Sequence, residues 1–413
     1  MGVRAGYKQT EVGVFPTAWQ IEPLGLHAAF RTGPFGSALH KSDYTHDGIP
    51  VINPMHIVDG AIKPTRSMTI TEQAAINLSH FRMRPGEVVI GRRGDMGRCA
   101  VVQEHHAGWL CGTGSMIIRP INVDAAFLQR VLSSPPTISS IEDTSVGTTM
   151  VNLNQGTLAS LKIQFPPLSE QRAIAAVFSG VDALLDGLER LIAKKRDLKQ
   201  AAIQQLLTGQ TRLPGFHGKW EVKPLGDTAA FHKGKGLPKS ALTPYGSESC
   251  IHYGELFTQY KETIRQTISR TNKMGDEFRS LANDVLMPMS DVTPRGLAKA
   301  SCVVSDGVVL GGDILVIRAD PNKVCGTFLS FVIRREESQV LRLVKGSTVF
   351  HLHGTDMKKF ILNLPPLGEQ QAIVCILSDM DAELSALEAR RDKTRNLKQA
   401  MMQELLTGRT RLI

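Results

Sequence analysis

Two stretches of the chain, 199 residues apart, decide how this sequence folds. The first is PPLSEQRAIAAVFSGVDALLDGLERLIAKKRDLKQAAIQQLLTGQTRL (166–213), and the second is PPLGEQQAIVCILSDMDAELSALEARRDKTRNLKQAMMQELLTGRTRL (365–412). Aligned without a gap, the two stretches are identical at 27 of 48 positions. A repeat of this kind predicts a chain built from two related halves.

A second repeat opens each half. The segment WQIEPLG (19–25) matches WEVKPLG (220–226) at an offset of 201 residues. The stretches between the repeats, roughly 34–145 and 235–344, show little similarity to each other. The sequence therefore predicts a duplicated frame that carries two different inserts.

Each repeated stretch has the pattern of one long helix. A Pro-Pro pair precedes it, and apolar residues recur every seven positions, which is the period of a coiled coil. We expect each helix to span about 38 residues and to be about 55–60 Å long. A helix of that length buries its apolar stripe only against a partner, so the two copies should pack together as an antiparallel pair, with the inserts at opposite ends. The expected packing residues are Ile174, Val181, Leu188, Ile373, Met380 and Leu387.

The inserts have the pattern of short strands separated by Gly, Pro and Asn turns, as in GIPVIN (48–53), GEVVIG (86–91) and DVLMPM (284–289). The predicted fold class is α+β, with two mixed α/β recognition domains separated by two long antiparallel helices and related by a pseudo-two-fold repeat. The predicted boundaries are 1–165 for the first domain, 166–213 for the central helix, 214–364 for the second domain and 365–413 for the final helix.

Composition and charge narrow the function classes. The chain has 413 residues, 42% of them apolar, and 48 Lys and Arg against 39 Asp and Glu give a net charge of +9. These values exclude wholesale disorder and favour a polyanionic partner, nucleic acid before membrane. The six cysteines form no CxxC pair, no secretory signal opens the chain, and no 18-residue apolar run is present. We therefore expect a cytoplasmic protein without disulfides and without a membrane partner.

Polar glycine-rich loops occur at matching places in both inserts. GRRGDMG (91–97) corresponds to SDVTPRG (290–296), and RTGPFGS (31–37) corresponds to HKGKG (232–236). Small residues allow the backbone to approach DNA, and Arg or Lys binds phosphates or guanine edges. Ordinary turns with solvated charges remain the alternative for any single loop. The candidate DNA-binding residues are Arg31, Thr32, Ser37, Lys41, Arg92, Arg93, Arg98, Lys233, Lys235, Lys239, Thr293 and Arg295, with Tyr253 and Lys261 as weaker candidates.

A search for catalytic patterns finds none. No Walker A, GxSxG, HExxH or zinc-deaminase pattern is present, and NPMH (53–56) falls short of the Asn-Pro-Pro-aromatic motif of adenine methyltransferases. His351 and His353 could share one strand face, but no third metal ligand accompanies them. We expect no catalytic residue, no metal site and no cofactor in this chain.

These motifs together resemble the specificity subunit of type I restriction–modification systems, over nearly the whole chain. The resemblance rests on YKQTEVG (7–13), on Trp19 and Trp220, on Pro-Pro-Leu-x-Glu-Gln at 166–171 and 365–370, and on the LLTGxTRL ending of both helices. It implies that each insert is a target recognition domain, similar to that of Taq-type adenine-N6 methyltransferases, and recognises one half of a split double-stranded DNA site. The helices would set the spacer between the halves.

The resemblance also implies partners that perform the chemistry. Two modification subunits would bind S-adenosylmethionine and methylate adenine, and two restriction subunits would use ATP and Mg to translocate and cleave DNA. Glu170, Gln171, Glu369 and Gln370 would serve the scaffold or the interface with the modification subunits, two roles that the sequence does not separate.

Three other interpretations remain open from the residues alone. The chain could be a coiled-coil scaffold whose inserts bind proteins, and a salt-dependent DNA shift assay separates that case. An enzyme with an unfamiliar site made of histidines and cysteines is the second alternative, excluded if the purified chain shows no methyl transfer or hydrolysis but gains methylation when a partner is added. Within the family, an orphan subunit that exchanges specificities is the third.

Overall fold

The computed structural model describes residues 5–10, 13–35, 38–94, 96–143, 153–273 and 275–412. The chain divides into two compact units. Unit 1 comprises Met1–Leu188 and Arg390–Ile413, and unit 2 comprises Glu189–Ala389. Each unit therefore contains one insert and half of each repeated stretch.

Unit 1 contains two main sheets, built from short strands. The larger sheet has the order β11-β10-β13-β4 and is antiparallel throughout, and the second has the order β12-β6-β9-β5 with one parallel pair, β12 and β6. The strands are β1 (Tyr7–Thr10), β2 (Gly13–Pro16), β3 (Gln20–Pro23), β4 (Ala28–Thr32), β5 (Tyr44–Thr45), β6 (Ile49–Ile52), β7 (Ile57–Val58), β8 (Ala61–Ile62), β9 (Thr69–Ile70), β10 (Val88–Gly91), β11 (Cys99–Val101), β12 (Leu110–Cys111), β13 (Ser115–Pro120) and β14 (Lys162–Phe165).

The helices of this first half pack on both sheets. They are α1 (Glu72–Asn77), α2 (Ala125–Leu132), α3 (Pro135–Asp143), α4 (Gln155–Ser160) and α5 (Leu168–Leu206). Helix α1 lies against the second sheet, and α2, α4 and the start of α5 pack on the larger sheet. Asp124 caps α2 by accepting a hydrogen bond of 2.9 Å from the backbone N–H of Phe127. The capped helix buries Phe127 and Leu128 against β10 residues Val88 and Ile90 in one apolar core.

Unit 2 repeats the same strand plan and adds one strand to each sheet. Its sheets have the orders β16-β26-β22-β24-β19 and β17-β20-β18-β25-β21. The strands are β15 (Glu221–Pro224), β16 (Ala229–Lys233), β17 (Leu242–Thr243), β18 (Glu248–Ile251), β19 (Thr263–Ile264), β20 (Ser269–Thr271), β21 (Phe278–Arg279), β22 (Asp284–Pro288), β23 (Ser290–Asp291), β24 (Ser301–Val303), β25 (Val309–Leu310), β26 (Ile314–Ala319), β27 (Phe350–His351) and β28 (Ile361–Leu364). The helices are α6 (Glu255–Thr258), α7 (Gly326–Arg335), α8 (Glu337–Leu341), α9 (Gly354–Met357) and α10 (Leu367–Leu405).

The register of the sheets shows that the two inserts share one architecture. In unit 1, β6 pairs with β12 in parallel, Ile52 beside Cys111, and in unit 2 β18 pairs with β25 in parallel, Ile251 beside Leu310. The central strands β10 and β22 pair antiparallel to β13 and β26 at equivalent places. Inserts that differ in sequence therefore fold on the same plan, and the predicted α+β class is confirmed.

The two long helices are continuous and of equal length, 39 residues each. In unit 1, the beginning of α5 shares an apolar core with the end of α10, through Ile174, Phe178 and Leu405, and Lys398 pairs with Asp182 at 2.6 Å. In unit 2, the end of α5 shares a core with the beginning of α10, through Leu206, Ile373 and Leu377. In both units the start of one long helix packs against the end of the other, so the two helices are antiparallel, as the repeat predicts.

The structure distinguishes neighbouring apolar residues that the seven-residue period left equivalent. Of the six expected packing residues, Ile174, Leu188 and Ile373 are buried, whereas Val181, Met380 and Leu387 are half-buried. The seam also contains Phe178, Ile192, Leu377 and Leu384, which are buried as deeply. By contrast, Leu184 and Leu191 on α5 are exposed to 42% and 39%. The seam therefore includes the residue four positions after Ile174 and Leu188, as in a straight packed helix.

Candidate nucleic-acid interface

A buried carboxylate fastens the frame of unit 1. Glu170, at the start of α5, is 1% exposed and accepts a hydrogen bond of 3.1 Å from Nε1 of Trp19. Arg411, beyond the end of α10, donates two more to the same carboxylate, at 2.5 and 2.8 Å. These hydrogen bonds raise the pKa of Arg411. The first repeated motif, the first long helix and the last residues of the chain therefore meet at one side chain.

Unit 2 contains the same arrangement. Glu369, at the start of α10, is 1% exposed and accepts hydrogen bonds from Nε1 of Trp220 at 3.2 Å and from Arg212 at 2.6 and 2.7 Å. The guanidinium of Arg212 also lies 5.8 Å from the centre of the Trp220 ring, within cation–π range. The Trp, Glu and Arg recur in both repeats because together they join three places: the start of a strand, the start of one long helix, and the segment that follows the end of the other long helix.

Gln171 and Gln370 hold the inserts on the same helix starts. The amide oxygen of Gln171 accepts from the backbone N–H of Asp124 at 2.9 Å, and that of Gln370 accepts from Cys325 at 2.8 Å, just before α2 and α7 respectively. Both glutamines are buried, to 3% and 0% exposure. The four Glu and Gln side chains expected at a scaffold or a partner interface thus satisfy their hydrogen bonds inside the chain, which favours the scaffold role.

The glycine-rich loops of unit 1 meet at one end of the larger sheet. Gly33 follows β4 and donates to the backbone of Ser115, while Arg92 follows β10 and donates to that of Gly114. A Cβ at Gly33 would lie 1.9 Å from the carbonyl oxygen of Gly112, so only glycine allows these two loops to approach so closely. The loops expected to contact DNA are therefore neighbours, joined through residues 112–115.

Unit 2 brings its loops together in the same way. Gly234 donates to Ile314, and Met289 donates to Asp313, on the segment that precedes β26. A Cβ at Gly234 would lie 2.0 Å from the carbonyl oxygen of Gly311. The two units thus present equivalent loop clusters, which we call loop cluster 1 (31–35, 92–94 and 112–115) and loop cluster 2 (232–236, 289–296 and 311–313).

The candidate residues of unit 1 differ in how far their side chains are exposed and in the hydrogen bonds that they make within the chain. Arg93, Arg98 and Lys41 are exposed, and Arg31 and Thr32 are half-buried at the end of β4. Arg92 is buried to 9% exposure, and its Nε donates 3.1 Å to the backbone oxygen of Leu153. Burial lowers the pKa of Arg92, and the neighbouring charge of Arg93 lowers it further. Ser37 lies outside the described residues.

Most candidate residues of unit 2 are exposed but carry a carboxylate partner. Lys233 pairs with Asp313 at 3.1 Å, Lys235 with Asp276 at 2.5 Å, and Arg295 with Glu337 at 3.1 Å. Thr293 donates 2.7 Å to Asp291. Lys239 is exposed on a short 3-10 turn.

The two weaker candidates of unit 2 lie in different surroundings. Tyr253 is half-buried, with its ring edge-on to Phe257 at 6.2 Å. Lys261 lies outside loop cluster 2. It lines a cleft against α10, together with Ser378 and Asp381.

Sequence inspection missed the segment that joins each loop cluster. Gly112-Thr113-Gly114 and Gly311-Gly312-Asp313 sit at the constant offset of 199 residues, which was the available signal. It also missed Asn53, whose side-chain oxygen accepts 3.2 Å from the backbone N–H of Gly114. These residues shape the backbone of the clusters.

Most cysteines in the described part of the chain are buried, and no metal-binding cluster is found there. Within it, no group of three or more His, Cys, Asp or Glu is placed to hold a metal ion. Cys99, Cys111, Cys250 and Cys302 are buried, and burial raises the pKa of Cys99 and of Cys302 to about 12. Among the same residues, no helix combines the length and apolarity needed to cross a bilayer.

Comparison with protein families gives a match on both halves of the chain. The family model described as the type I restriction modification DNA specificity domain matches residues 35–196 and again residues 217–394. The chain is 22% identical over 428 residues to the putative type I restriction enzyme MjaX specificity subunit of Methanocaldococcus jannaschii, covering 98% of this chain and 97% of that one. It is 19% identical over 418 residues to the MjaVIII specificity subunit of the same organism, covering 96% and 94%.

Solved structures share the fold along almost the whole chain. The S subunit of a type I restriction-modification system from M. genitalium superposes with a TM-score of 0.60 at 15% identity, covering 98% of each chain. A chain from a study of complex assembly and conformational transition of the type I R-M system gives 0.57 at 18% identity, covering 96% of this chain and 99% of that one. At these identities the likeness establishes the architecture.

Proposed function

Because the chain belongs to the type I restriction-modification DNA specificity family, and is the non-catalytic specificity subunit of such a system, we propose that its two units recognise two different half-sites of one split DNA target. The observation that carries the proposal is the duplicated plan with dissimilar loops. Both clusters have the same backbone construction around Gly33 and Gly234, yet the side chains that they present differ. A shared construction with different side chains is what recognition of two different half-sites on similar duplexes requires.

Loop cluster 1 presents arginines, which are the side chains best suited to guanine and phosphate. Arg93 is exposed two residues after the end of β10, and it follows Arg92, whose backbone N–H donates to Gly114. A guanidinium in that place donates two hydrogen bonds to O6 and N7 of a guanine in the major groove. Arg92 next to it instead supports the loop from inside, through its hydrogen bond to Leu153. We assign base recognition to Arg93 and loop support to Arg92.

Loop cluster 2 presents a mixed surface. Lys233 and Lys235 are partly neutralised by Asp313 and Asp276, and Thr293 is oriented by Asp291. Carboxylates beside a DNA groove accept hydrogen bonds from the amino group of cytosine and repel the phosphates. The second half-site therefore differs from the first in the bases that it offers, and binding through cluster 2 depends less on salt.

The long helices give the proposal its geometry. Both α5 and α10 are uninterrupted across the residues where unit 1 passes into unit 2. A continuous antiparallel pair is stiff, so it would fix the number of base pairs between the two half-sites. Two linked binding modules also gain affinity through effective concentration when the spacing is correct.

The proposal assigns the chemistry to partner subunits. Two modification subunits would bring S-adenosylmethionine and flip the target adenine out of the duplex, and two restriction subunits would use ATP and Mg. The contribution of this chain is to place those subunits on the target. Pairing of its basic residues along the helices, such as Lys199 with Asp381 at 2.6 Å, favours a scaffold over a phosphate-binding surface there.

Sequencing of N6-methyladenine with and without the chain tests the proposal. Cells or reactions containing the modification subunit and this chain should show methylation at one split motif with a fixed spacer, and omission of the chain should abolish it. Purified chain alone should transfer no methyl group. Methylation that is unchanged by removal of the chain, or confined to an uninterrupted motif, would contradict it.

A further inference from the structure

One open cleft of unit 1 is lined by an unusual concentration of arginine. The cleft has a volume of about 590 Å³ and lies beside the edge strand β4. Its lining includes Arg31, Arg82, Arg84, Arg119 and His80, and among the described residues that line it there is no carboxylate. We call it the basic cleft.

Two of these arginines have structural partners. Arg82 donates to Glu72 at 2.5 Å and to the backbone oxygen of Gly108 at 3.4 Å, and Arg119 donates to Glu87 at 2.6 Å. Glu87 is 5% exposed, so the second pair is held at the edge of the core. These two guanidinium groups help to build the wall of the cleft.

The other two arginines have no ion pair within the described part of the chain. Arg84 is exposed, and the hydrogen bonds recorded for it use its backbone: its N–H donates 2.8 Å to the carboxylate of Glu87, and its carbonyl oxygen accepts 3.1 Å from the backbone N–H of Glu87. Arg31 is half-buried at the end of β4, immediately before the Gly33 turn of loop cluster 1. Two uncompensated positive charges therefore face one cleft that begins where the DNA-binding loops begin.

The equivalent place in unit 2 serves as an internal comparison, because the shared register identifies the matching residues. Arg279 donates to the backbone oxygen of Gly307 as Arg82 does to that of Gly108, and Arg318 pairs with Asp284 as Arg119 does with Glu87. The two structural arginines are therefore present in both units.

The two unpaired arginines, Arg31 and Arg84, have no counterpart in unit 2. His232 occupies the ladder position of Arg31, since His232 lies opposite Val316 as Arg31 lies opposite Ile117. Leu281 occupies the position of Arg84, because its backbone N–H donates to the carboxylate of Asp284 at 2.8 Å, as that of Arg84 donates to Glu87. In addition, the ring of Phe278 lies 5.3 Å from that of His232 and 5.3 Å from the guanidinium of Arg318. Unit 2 keeps the wall and lacks the free charge.

From this difference we infer that Arg31 and Arg84 bind phosphates of the DNA backbone next to the half-site recognised by unit 1. The inference rests on the proposed function, which places loop cluster 1 on that half-site. A guanidinium carries a fixed charge and forms two parallel hydrogen bonds with a phosphate. Phosphate contacts position a protein on the duplex and carry no base preference. Unit 1 therefore has two phosphate-binding side chains next to its half-site that unit 2 lacks at the equivalent positions.

The test uses substitutions that the fold already accepts at these positions. Arg31→His and Arg84→Leu install the residues of unit 2, alone and together, in the full chain purified with its partner subunits. Affinity is measured by fluorescence anisotropy across a salt series, for a duplex with the methylated motif and for a scrambled duplex of equal length. Arg66→Gln, which removes an exposed charge of unit 1 outside the cleft, is the matched control.

Each phosphate contact contributes about 0.9 to the slope of log affinity against log salt. The single variants should lower that slope by about 0.9 and the double variant by about 1.8. The factor of affinity lost should be the same on both duplexes, and the methylated motif should not change. Arg66→Gln should keep the wild-type slope. Unchanged melting temperatures show that the variants fold.

A second measurement separates backbone phosphate from free phosphate. Inorganic phosphate is titrated into the wild-type complex and the double variant in a calorimeter. The backbone site is supported if phosphate gives weak or undetectable heat with the wild-type complex while the double variant shows the reduced salt slope for DNA. Phosphate binding that the double variant loses, with a wild-type DNA slope, overturns it.

The outcome also distinguishes the inference from the function on which it rests. A wild-type slope in the double variant, while Arg93→Ala still weakens specific binding, refutes the cleft and leaves the specificity role intact. Equal affinity of the wild-type complex for both duplexes would instead remove the proposed function itself.

Discussion

Glu170 and Arg411 lie 241 positions apart in the chain, and two hydrogen bonds of 2.5 and 2.8 Å join their side chains. Glu369 and Arg212, 157 positions apart, are joined in the same way at 2.6 and 2.7 Å. In both cases the carboxylate begins one long helix and the guanidinium follows the end of the other. The frame is therefore closed by reciprocal contacts between the two repeats.

Replacement of Glu170 by Gln should destabilise unit 1. The variant keeps an acceptor for Trp19 but removes the negative charge that Arg411 needs in a buried place. We expect the free energy of unfolding to fall by about 2–3 kcal/mol, since removal of one partner from a buried pair leaves the other uncompensated. Urea denaturation measures the change. Asp186→Asn, at an exposed position on α5, is the control and should leave the midpoint unchanged. An equal loss there would contradict the role of the hydrogen bonds that Glu170 accepts from Trp19 and Arg411.

Arg92 and Arg93 should separate stability from recognition. Arg92→Ala removes the donor to the buried backbone oxygen of Leu153, so we expect a loss of about 1–3 kcal/mol in unfolding free energy. Arg93→Ala should leave the stability unchanged and weaken specific DNA binding by about 1–3 kcal/mol, with relaxed preference at one base pair. Thermal denaturation and binding to duplexes with single base changes measure the two effects. Wild-type DNA binding by Arg93→Ala would contradict the assignment of loop cluster 1.

Gly33 should tolerate no side chain. A Cβ there would lie 1.9 Å from the oxygen of Gly112, so Gly33→Ala should cost about 2 kcal/mol or more of stability and distort the cluster. Gly180→Ala is the matched substitution on α5, where no atom lies within 4 Å of the added Cβ. That variant should gain about 0.5–1 kcal/mol, because alanine favours the helix. Chemical denaturation of both variants checks the opposite signs, and two losses of similar size would contradict the close-approach argument.

Thiol labelling should divide the cysteines by burial. Cys375 is exposed, whereas burial raises the pKa of Cys250 to about 11 and that of Cys99 to about 12. A maleimide at neutral pH should therefore modify Cys375 in the native protein and leave Cys99 and Cys250 unmodified, since the thiolate is the reactive form. Mass spectrometry of peptides identifies the sites, and rapid labelling of Cys99 in the folded state would contradict this packing.

Lengthening both helices should change the spacer and nothing else. Insertion of seven residues after Leu188 in α5 and after Ala389 in α10 keeps the seven-residue stripe in phase. At about 1.5 Å per residue the pair grows by about 10 Å, which corresponds to about three base pairs. Sequencing of methylated sites should show the same half-sites with a longer spacer. An unchanged spacer in a folded, active complex would refute the idea that the helices measure the distance.

The helix pair illustrates how far periodicity reaches. The seven-residue repeat predicts both helices, their length and their antiparallel pairing, because an apolar stripe of that length must be covered. It does not decide between neighbours such as Leu191 and Ile192: the side chain of Ile192 is 2% exposed, whereas that of Leu191 is 39% exposed. That choice depends on the rotation of each helix about its axis, which packing against the inserts sets.

The candidate site shows a similar division. Glycine patterns located the loops, because close backbone approach and tight turns need residues without a Cβ. They did not distinguish Arg92 from Arg93, since adjacent residues of one type differ only in the direction in which the backbone sends each side chain.

By itself the sequence determined the duplication, the family and the separation of recognition from chemistry, because each rests on repeated residues or on residue types that a reaction needs. Only the tertiary structure decided that the dissimilar inserts share one strand plan, that Glu170 and Glu369 close the frame, and which arginines are unpaired. These features arise from contacts between residues far apart in the chain, such as Glu72 with Arg82 or Asp284 with Arg318. The free charge on Arg31 and Arg84 is defined by the absence of such a contact within the described residues, and the order of the residues does not encode which side chains meet.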